Sequence, residues 1–390
     1  MKPLPRTVWA LGATSLFMDL SSELVHGLLP VFMTVVLGAS MVAVGVVEGI
    51  AEATASIVKL FSGALSDKLG RRKPLVVLGY GLAALSKPLF PLAGSVALVL
   101  GARFIDRIGK GVRGAPRDAL IADVTPEGQR GAAYGLRQTL DTVGAVLGPL
   151  AAIGLMLALA SDIRLVLWLA VAPAALSLLV LVLFVTEGST PQPASNPISF
   201  QSVGSLGARY WTIVTLGAVF TLARFSEAFL VIRGQDIGLA LAFVPLALVV
   251  MNVVYTAIAY PAGVAADRGH RRSLLVWGLL ALIAADLVLA SSRDLAWFFA
   301  GVVLWGAHMG LTQGLLSTLV ADAAPGRLRG TAFGVFHLVS GVALLGASVL
   351  AGWLWASFGP ELTFYAGAAF TAIALAGLAA LTRDRRPGMR

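Results

Sequence analysis

The 390-residue chain contains no cysteine and has few charged residues. The lack of cysteine excludes a disulfide framework and a metal site built on thiolates. Charged residues make up 13% of the chain, against the roughly 25% that soluble domains carry. Hydrophobic residues make up 58%. This composition fits a polytopic membrane protein and little else.

The apolar residues fall into twelve segments, each long enough to cross a bilayer as a helix. The segments are 7–37, 42–66, 75–93, 96–121, 131–156, 163–186, 209–233, 240–265, 273–291, 295–321, 329–356 and 362–382. A polar stretch with three prolines and several serines separates the sixth segment from the seventh. The sequence therefore predicts an all-α membrane protein of two six-helix bundles, 1–186 and 209–390, joined by a cytoplasmic linker over 187–208.

The distribution of lysine and arginine between the loops predicts the orientation of the chain. Most of the loop lysines and arginines lie on one side of the predicted helices, and only Arg164, Arg233 and Arg293 lie on the other. Because cytoplasmic loops are rich in lysine and arginine, both termini are predicted to be cytoplasmic. The net charge of +9 thus reflects topology and buried charge. We expect no nucleic-acid partner, since no solvated basic face is present. The predicted location is the cell (inner) membrane, with multiple passes.

Two motifs recur about half a chain apart. Gly63-Ala64-Leu65-Ser66-Asp67-Lys68-Leu69-Gly70-Arg71-Arg72 returns as Gly263-Val264-Ala265-Ala266-Asp267-Arg268-Gly269-His270-Arg271-Arg272. Ala122-Asp123 followed by Arg130-Gly131 returns as Ala321-Asp322 followed by Arg329-Gly330. A repeat at this period indicates two halves of like design.

The charged loop at 63–74 closely resembles the signature between the second and third helices of the major facilitator superfamily. The resemblance implies twelve helices in two pseudo-symmetric bundles and transport by alternating access. It also implies a gating role for Asp67 and Arg71, with Arg107 or Arg113 as a partner, and for their counterparts Asp267 and Arg271.

The fifth segment carries Gly135, Gly144 and Gly148, followed by Pro149. This spacing resembles the motif of the superfamily's proton-coupled antiporters, whose final glycine is Ala152 here. Glycines allow helices to pack closely, and proline allows a bend. We therefore predict a gating role for Gly144, Gly148 and Pro149, although packing alone accounts for any single glycine.

Ionisable side chains within the predicted helices are concentrated in the first half, and residues of this kind are usually functional. Glu48 and Arg103 lie equally far from the predicted starts of their segments, as do Glu52 and Arg107, so each pair shares a depth. The predicted proton-coupling residues are Asp19, Glu23, Glu48, Glu52, Arg103 and Arg107. The alternative is an ion-pair stripe that only joins helices. Lys87, near a segment end, is expected to extend its amine toward the membrane surface. No role is assigned to Asp286.

Polar and aromatic residues of the central segments predict a substrate cavity. Its predicted lining is Phe17, His26, Arg137, Asp141, Arg224, Glu227, Asn252, Tyr255, Trp305 and His308. Glu23 and Glu227, each preceded by serine, are predicted to be counterparts in the two halves. A mixed aromatic and charged lining fits many organic molecules.

The function predicted from the sequence is proton-coupled export of a small organic molecule or drug by a monomeric secondary transporter. No nucleotide-binding loop is present, so an ATP-driven pump is disfavoured. The alternatives are an exporter of an anionic metabolite, an exporter of a divalent metal and a proton-symport importer. A membrane-embedded enzyme or sensor is not expected, because no nucleophile–base pair is found. No cofactor or resident metal is expected, and the partners are the substrate, protons and the lipid bilayer.

Overall fold

The computed structural model describes residues 3–187, 206–312, 315, 320, 323 and 329–383. The α-helices of these residues are α1 Arg6–Val31, α2 Met41–Leu69, α3 Lys73–Ser86, α4 Leu89–Leu92, α5 Val96–Val124, α6 Arg130–Ala158, α7 Ile163–Leu169, α8 Val171–Phe184, α9 Ala208–Leu222, α10 Ala228–Asp236, α11 Leu246–Ala265, α12 Arg271–Ser291, α13 Leu295–Thr312, α14 Arg329–Phe358 and α15 Pro360–Arg383. A turn of π-helix, Phe32–Val36, continues α1.

Ten helical spans within the described residues are long and apolar enough to cross a membrane. A helix satisfies every backbone hydrogen bond within itself, which hydrocarbon requires of a spanning segment. Helix α5 is 29 residues long but carries many charges, and the seventh predicted segment is divided into two helices. The chain is therefore a multi-pass, all-helical membrane protein, while the number twelve and the side of the termini stay predictions.

The described contacts group the chain into two compact units. The first unit comprises Met1–Ala39, Ile50–Ser199 and Ala240–Val249. In this unit α1 packs against α6 and α8, and α3 packs against α5 and α8. Its apolar core is centred on side chains such as Leu11, Tyr80 and Leu181.

The second unit comprises Ser40–Gly49, Phe200–Leu239 and Val250–Arg390. Helix α12 packs against α13 and α15, and α14 packs against α9 and α15. The first residues of α2 belong to this unit, where the backbone of Met41 contacts Gly352 of α14. Gly45 of α2 likewise contacts the backbone of Ser348. Small residues therefore let α2 and α14 touch along their backbones.

The seventh predicted segment was expected to be one helix over 209–233, and this is wrong. Helix α9 ends at Leu222 and α10 begins at Ala228, so the residues from Ala223 to Glu227 are not helical. Neither proline nor glycine occurs in this interval. Non-helical backbone at membrane depth is tolerated where it is buried in protein or lines a cavity. Such a break is common near the binding sites of transporters.

Glu187, the first residue of the predicted linker, is bound to the start of α3. Its carboxylate accepts hydrogen bonds from the backbone N–H groups of Arg72 and Lys73, the latter at 3.2 Å. The Arg72 side chain donates to Oγ of Ser66 at 2.6 Å and pairs with Asp123 at 3.3 Å. A carboxylate at a helix N-terminus is stabilised by the unpaired N–H groups and the helix dipole. Glu187 thus joins the end of the sixth segment to the charged loop.

The side chains of Asp67 and Asp267 lie outside the described residues. The gate contacts predicted for them therefore stay predictions. Of their predicted partners, Arg71 is exposed. The guanidinium of Arg113 stacks on the ring of Tyr80, with 4.6 Å between Cζ and the ring centroid.

Candidate functional site

A continuous series of polar contacts crosses the first unit from α1 to α2. Nζ of Lys87 donates to Oγ of Ser22 at 2.9 Å and pairs with Oδ1 of Asp106 at 2.8 Å. The other carboxyl oxygen of Asp106 lies 3.5 Å from Nε of Arg107. Nη1 of Arg107 pairs with Oε1 of Glu52 at 3.1 Å. We call Ser22, Glu52, Lys87, Asp106 and Arg107 the charged network.

The local fold explains how Lys87 reaches this network. Pro88 follows Lys87, and because proline lacks the N–H that would continue the hydrogen-bond ladder, α3 ends at Ser86. The short helix α4 then follows. Lys87 is only 1% exposed. The expectation that its amine reaches the membrane surface is therefore wrong, because Asp106 supplies a buried counter-charge.

The two partners of the Arg107–Glu52 ion pair differ in exposure. The side chain of Arg107 is 3% exposed, whereas that of Glu52 is 34% exposed. The pairing of these two residues matches the depth predicted from the sequence. Glu52 can therefore meet water or a ligand while Arg107 stays enclosed. A carboxylate in this position can exchange a proton with solvent, and the buried arginine stabilises its ionised form.

Glycines bring α6 directly against α1 beside two of the predicted acids. A Cβ placed on Gly144 would lie 2.6 Å from the carbonyl oxygen of Leu16 and 3.1 Å from Cβ of Asp19. A Cβ on Gly148 would lie 2.8 Å from Cβ of Glu23. Only glycine allows the two backbones to come this close. The antiporter-like motif therefore fixes the positions of Asp19 and Glu23 against α6.

His26 follows Glu23 by one helical turn, and the two side chains are close. Nδ1 of His26 lies 3.5 Å from Oε2 of Glu23. Both side chains are partly exposed, at 13% and 23%. They form an acid–imidazole pair on α1, the helix that also contributes Ser22 to the charged network.

A second group of charges lies toward the other end of α5. Arg117 donates to Oγ of Ser15 at 3.0 Å and pairs with Asp118 at 3.3 Å. Arg137 of α6 contacts Asp118 at 3.8 Å and pairs closely with Asp141 one turn along its own helix. Arg137 and Asp141, predicted to line a substrate cavity, are thus held in an ion-pair group of α5 and α6.

Two further predicted coupling residues are deeply buried. Glu48 is 1% exposed, and Oγ of Ser226 donates to its Oε2 at 3.5 Å within the second unit. Ser226 belongs to the non-helical interval between α9 and α10. Arg103 is also 1% exposed, in the first unit. Glu48 therefore contacts the broken segment directly, which the sequence did not indicate.

The residues predicted to line the second-half cavity divide into two sets. Trp305 and His308 are fully buried, and Nδ1 of His308 donates to the carbonyl of Gly278 at 2.8 Å. The partly exposed residues are Arg224, Glu227, Asn252 and Tyr255, and Phe17 in the first unit is similar. Their role in binding a substrate stays a prediction, as does the correspondence of Glu23 with Glu227.

Sequence reasoning missed Ser22, Lys87 and Asp106 as members of the charged network. Asp106 was not among the predicted coupling residues, and Lys87 was expected to extend its amine toward the membrane surface. The dipeptide Lys87-Pro88 was a usable signal, because proline lacks the N–H that continues a helix and so places Lys87 at a turn within the membrane. A lysine at such a turn requires a counter-charge.

The sequence model of the Major Facilitator Superfamily matches the chain over residues 11–234 and 212–390. The chain is 33% identical over 384 residues to an uncharacterized MFS-type transporter of Methanocaldococcus jannaschii, covering 95% of this chain and 94% of that protein. It is 26% identical to the inner membrane transport protein YajR of Escherichia coli, covering 94% of this chain and 81% of YajR. It is also 27% identical to the multidrug resistance protein MdtH of Edwardsiella ictaluri, covering 82% of this chain and 78% of MdtH.

Solved structures share the fold at low sequence identity. The chain superimposes on a POT family transporter in complex with a thioalcohol-conjugated peptide with a TM-score of 0.81 at 13% identity, covering 98% of this chain and 97% of that one. For the D323A mutant of the nucleoside transporter NupG, the TM-score is 0.79 at 12% identity, covering 96% and 99%. The family match spans both halves, and the fold agrees with it. The chain therefore belongs to the major facilitator superfamily and is a membrane transporter.

Proposed function

We propose that the chain is a proton-coupled antiporter that exports a small organic molecule or drug across the cell membrane. The observation that carries the proposal is the charged network, in which buried Arg107 holds a partly exposed Glu52 at 3.1 Å. Export is supported by the likeness to MdtH, which is described as a multidrug resistance protein. It is also supported by the glycines that pack α6 against α1.

The charged network suggests how binding of a proton is coupled to a change of contacts. With Glu52 ionised, Arg107 is neutralised on one side by Glu52 and on the other by Asp106. When the contact opens, Glu52 loses the nearby positive charge that stabilises its ionised form and can take up a proton from the water that it meets. Arg107 stays paired with Asp106, which in turn is paired with Lys87. Protonation of one acid therefore changes a single contact and leaves no buried cation without a partner in the network.

A transport assay distinguishes between the alternative substrate classes. Purified protein in proteoliposomes with an imposed pH gradient is tested with ethidium as a cationic probe and carboxyfluorescein as an anionic one, and internal pH is followed with pyranine. Antiport requires probe and proton fluxes of opposite direction. Fluxes in the same direction show symport and contradict the proposal. Carboxyfluorescein transport without ethidium transport favours the anionic-metabolite alternative.

A matched control separates transport from leakage. Glu127 lies in the 3₁₀ turn Glu127–Gln129 after α5, with its side chain 89% exposed and paired with Arg130 at 3.6 Å. Glu127→Gln removes one acid without touching the charged network, so it should transport as the unaltered protein does. Equal loss of transport in Glu127→Gln and Glu52→Gln would show that the assay reports protein quality and not coupling.

A further inference from the structure

Asp286 is a fully buried acid of the second unit that the charged network does not use. It lies in α12, is 0% exposed, and neither of its carboxyl oxygens has a hydrogen-bond partner among the described residues. Burying an ionised carboxylate without a partner is very costly. The neutral carboxylic acid avoids most of this cost.

The space around the carboxyl group is shaped by a glycine and an aromatic ring. A Cβ on Gly367 of α15 would lie 2.7 Å from Oδ2 of Asp286 and 3.2 Å from Cε1 of Phe225. Any larger residue at position 367 would collide with the carboxyl group. The absence of a side chain at Gly367 therefore leaves room for the Asp286 carboxyl group between α12 and α15.

The surrounding helices supply no counter-charge among the described residues. Titratable and charged side chains on the surrounding elements include Arg224, Glu227, Arg233, His308 and Glu361. None of them forms an ion pair or hydrogen bond with Asp286 in the described parts of the chain. Nδ1 of His308 is bound to Gly278, and Arg233 pairs with Asp236 at 2.5 Å. A bound metal ion would need several oxygen ligands, whereas a proton needs only the carboxyl group.

Phe225, whose Cε1 lies beside Gly367 as the Asp286 carboxyl group does, belongs to the non-helical interval between α9 and α10. Its ring packs on Trp305, Phe364 and Phe229 with centroid distances of 5.4, 5.5 and 5.6 Å. Because backbone outside a helix lacks the hydrogen-bond ladder that makes a helix rigid, this interval can move without unwinding α9 or α10. Movement of Phe225 would expose the Asp286 carboxyl group.

We propose that Asp286 is a proton-binding site of the second unit, covered by Phe225 and separate from the charged network. With Phe225 in place, the carboxyl group keeps its proton. When the non-helical interval moves, water reaches the carboxyl group, accepts the proton and solvates the carboxylate that remains. A role for this proton in transport rests on the proposed function, whereas the presence of the proton does not.

Infrared spectroscopy of the purified protein at neutral pH tests the site without any substrate. The carbonyl stretch of a protonated carboxylic acid is separate from the carboxylate bands. We expect such a band in the unaltered protein, and we expect Asp286→Asn to lose it. Gly367→Ala should shift the band, because the new methyl group contacts Oδ2. Gly377→Ala is the control in the same helix, since within the described parts of the chain its Cβ would meet only Leu216, at 3.7 Å. An unchanged band in Asp286→Asn would overturn the proposal.

The rate at which the same infrared band shifts after transfer to D₂O tests whether Phe225 covers the Asp286 carboxyl group. Phe225→Ala should speed this exchange by at least about tenfold, because removing a buried ring lowers the cost of local opening. Phe358→Ala, at an exposed ring at the end of α14, should leave the rate unchanged. Equal rates in Phe225→Ala and the unaltered protein would show that Phe225 does not cover the acid. These outcomes do not depend on transport, so failure here and failure of the antiport assay are distinguishable.

Discussion

Glu52 and Arg107 form an ion pair at 3.1 Å although their exposure differs widely: the side chain of Glu52 is 34% exposed and that of Arg107 is 3% exposed. Arg107 is held on its far side by Asp106 at 3.5 Å. The arrangement keeps the cation in place and leaves the acid able to change partners. Each member of the charged network can therefore be tested for stability and transport separately.

Glu52→Gln keeps the size of the side chain and fixes its neutral form. We expect loss of uphill transport driven by a pH gradient, with downhill exchange retained. The loss of stability should be small, about 1–3 kcal/mol, because Arg107 keeps Asp106 and Glu52 is partly solvated. Transport in proteoliposomes and thermal unfolding are measured on the same preparation. A folded Glu48→Gln/Glu52→Gln double variant that still concentrates a probe would eliminate these acids as the coupling element.

Lys87→Met leaves Asp106 with Arg107 as its remaining cation in the network. Removing one partner of a buried ion pair typically costs about 3–5 kcal/mol. We expect the lower end of this range, since Arg107 remains 3.5 Å away. Lys87→Met/Asp106→Leu removes both charges and should recover much of the loss. Thermal unfolding of the two single variants and the double variant measures the coupling. Additive losses would show that Lys87 and Asp106 do not stabilise each other.

Gly148→Ala should destabilise the protein, because its Cβ would meet the Leu20 carbonyl and the Glu23 Cβ, both at 2.8 Å. Overpacking of this kind costs about 1–3 kcal/mol. For Gly154→Ala in the same helix, no atom of the described residues lies within 4 Å of the added Cβ, so this variant should keep or slightly raise the stability. The midpoints of thermal unfolding of both variants give the comparison. Equal midpoints would contradict the close α1–α6 contact.

Met41→Cys/Gly352→Cys tests whether the start of α2 separates from α14 during transport. The backbone of Met41 contacts Gly352, and the chain has no cysteine of its own. Because a Cβ at position 352 would collide with the Met41 carbonyl oxygen, the helices must shift slightly to admit the second cysteine. We expect an added oxidant to form the disulfide and to stop transport, and reduction should restore transport. Each single cysteine variant controls for the substitution. Full cross-linking with undiminished transport would show that these helices stay together throughout the cycle.

The sequence predicted the parts of the site that depend on helical spacing. Glu52 meets Arg107 because equal distances from two helix starts put both residues at one depth. Gly144 and Gly148 of α6 pack together against α1 because small residues at this spacing share a helix face. The break between α9 and α10 was missed, since the interval holds neither proline nor glycine. Lys87 was misplaced because its counter-charge, Asp106, lies on another helix, and sequence spacing carries no information about contacts between helices.

The glycine contact between α1 and α6 also limits how this transporter can change over evolutionary time. Most helix interfaces hold a layer of side chains, in which one substitution can be offset by a second across the contact. Along Gly144 and Gly148 there is no such layer, because backbone meets backbone. A new side chain there can be accommodated only if an entire helix moves. Single substitutions at this interface therefore cannot shift the positions of Asp19 and Glu23 gradually. New substrate preferences would have to arise from substitutions on other helices.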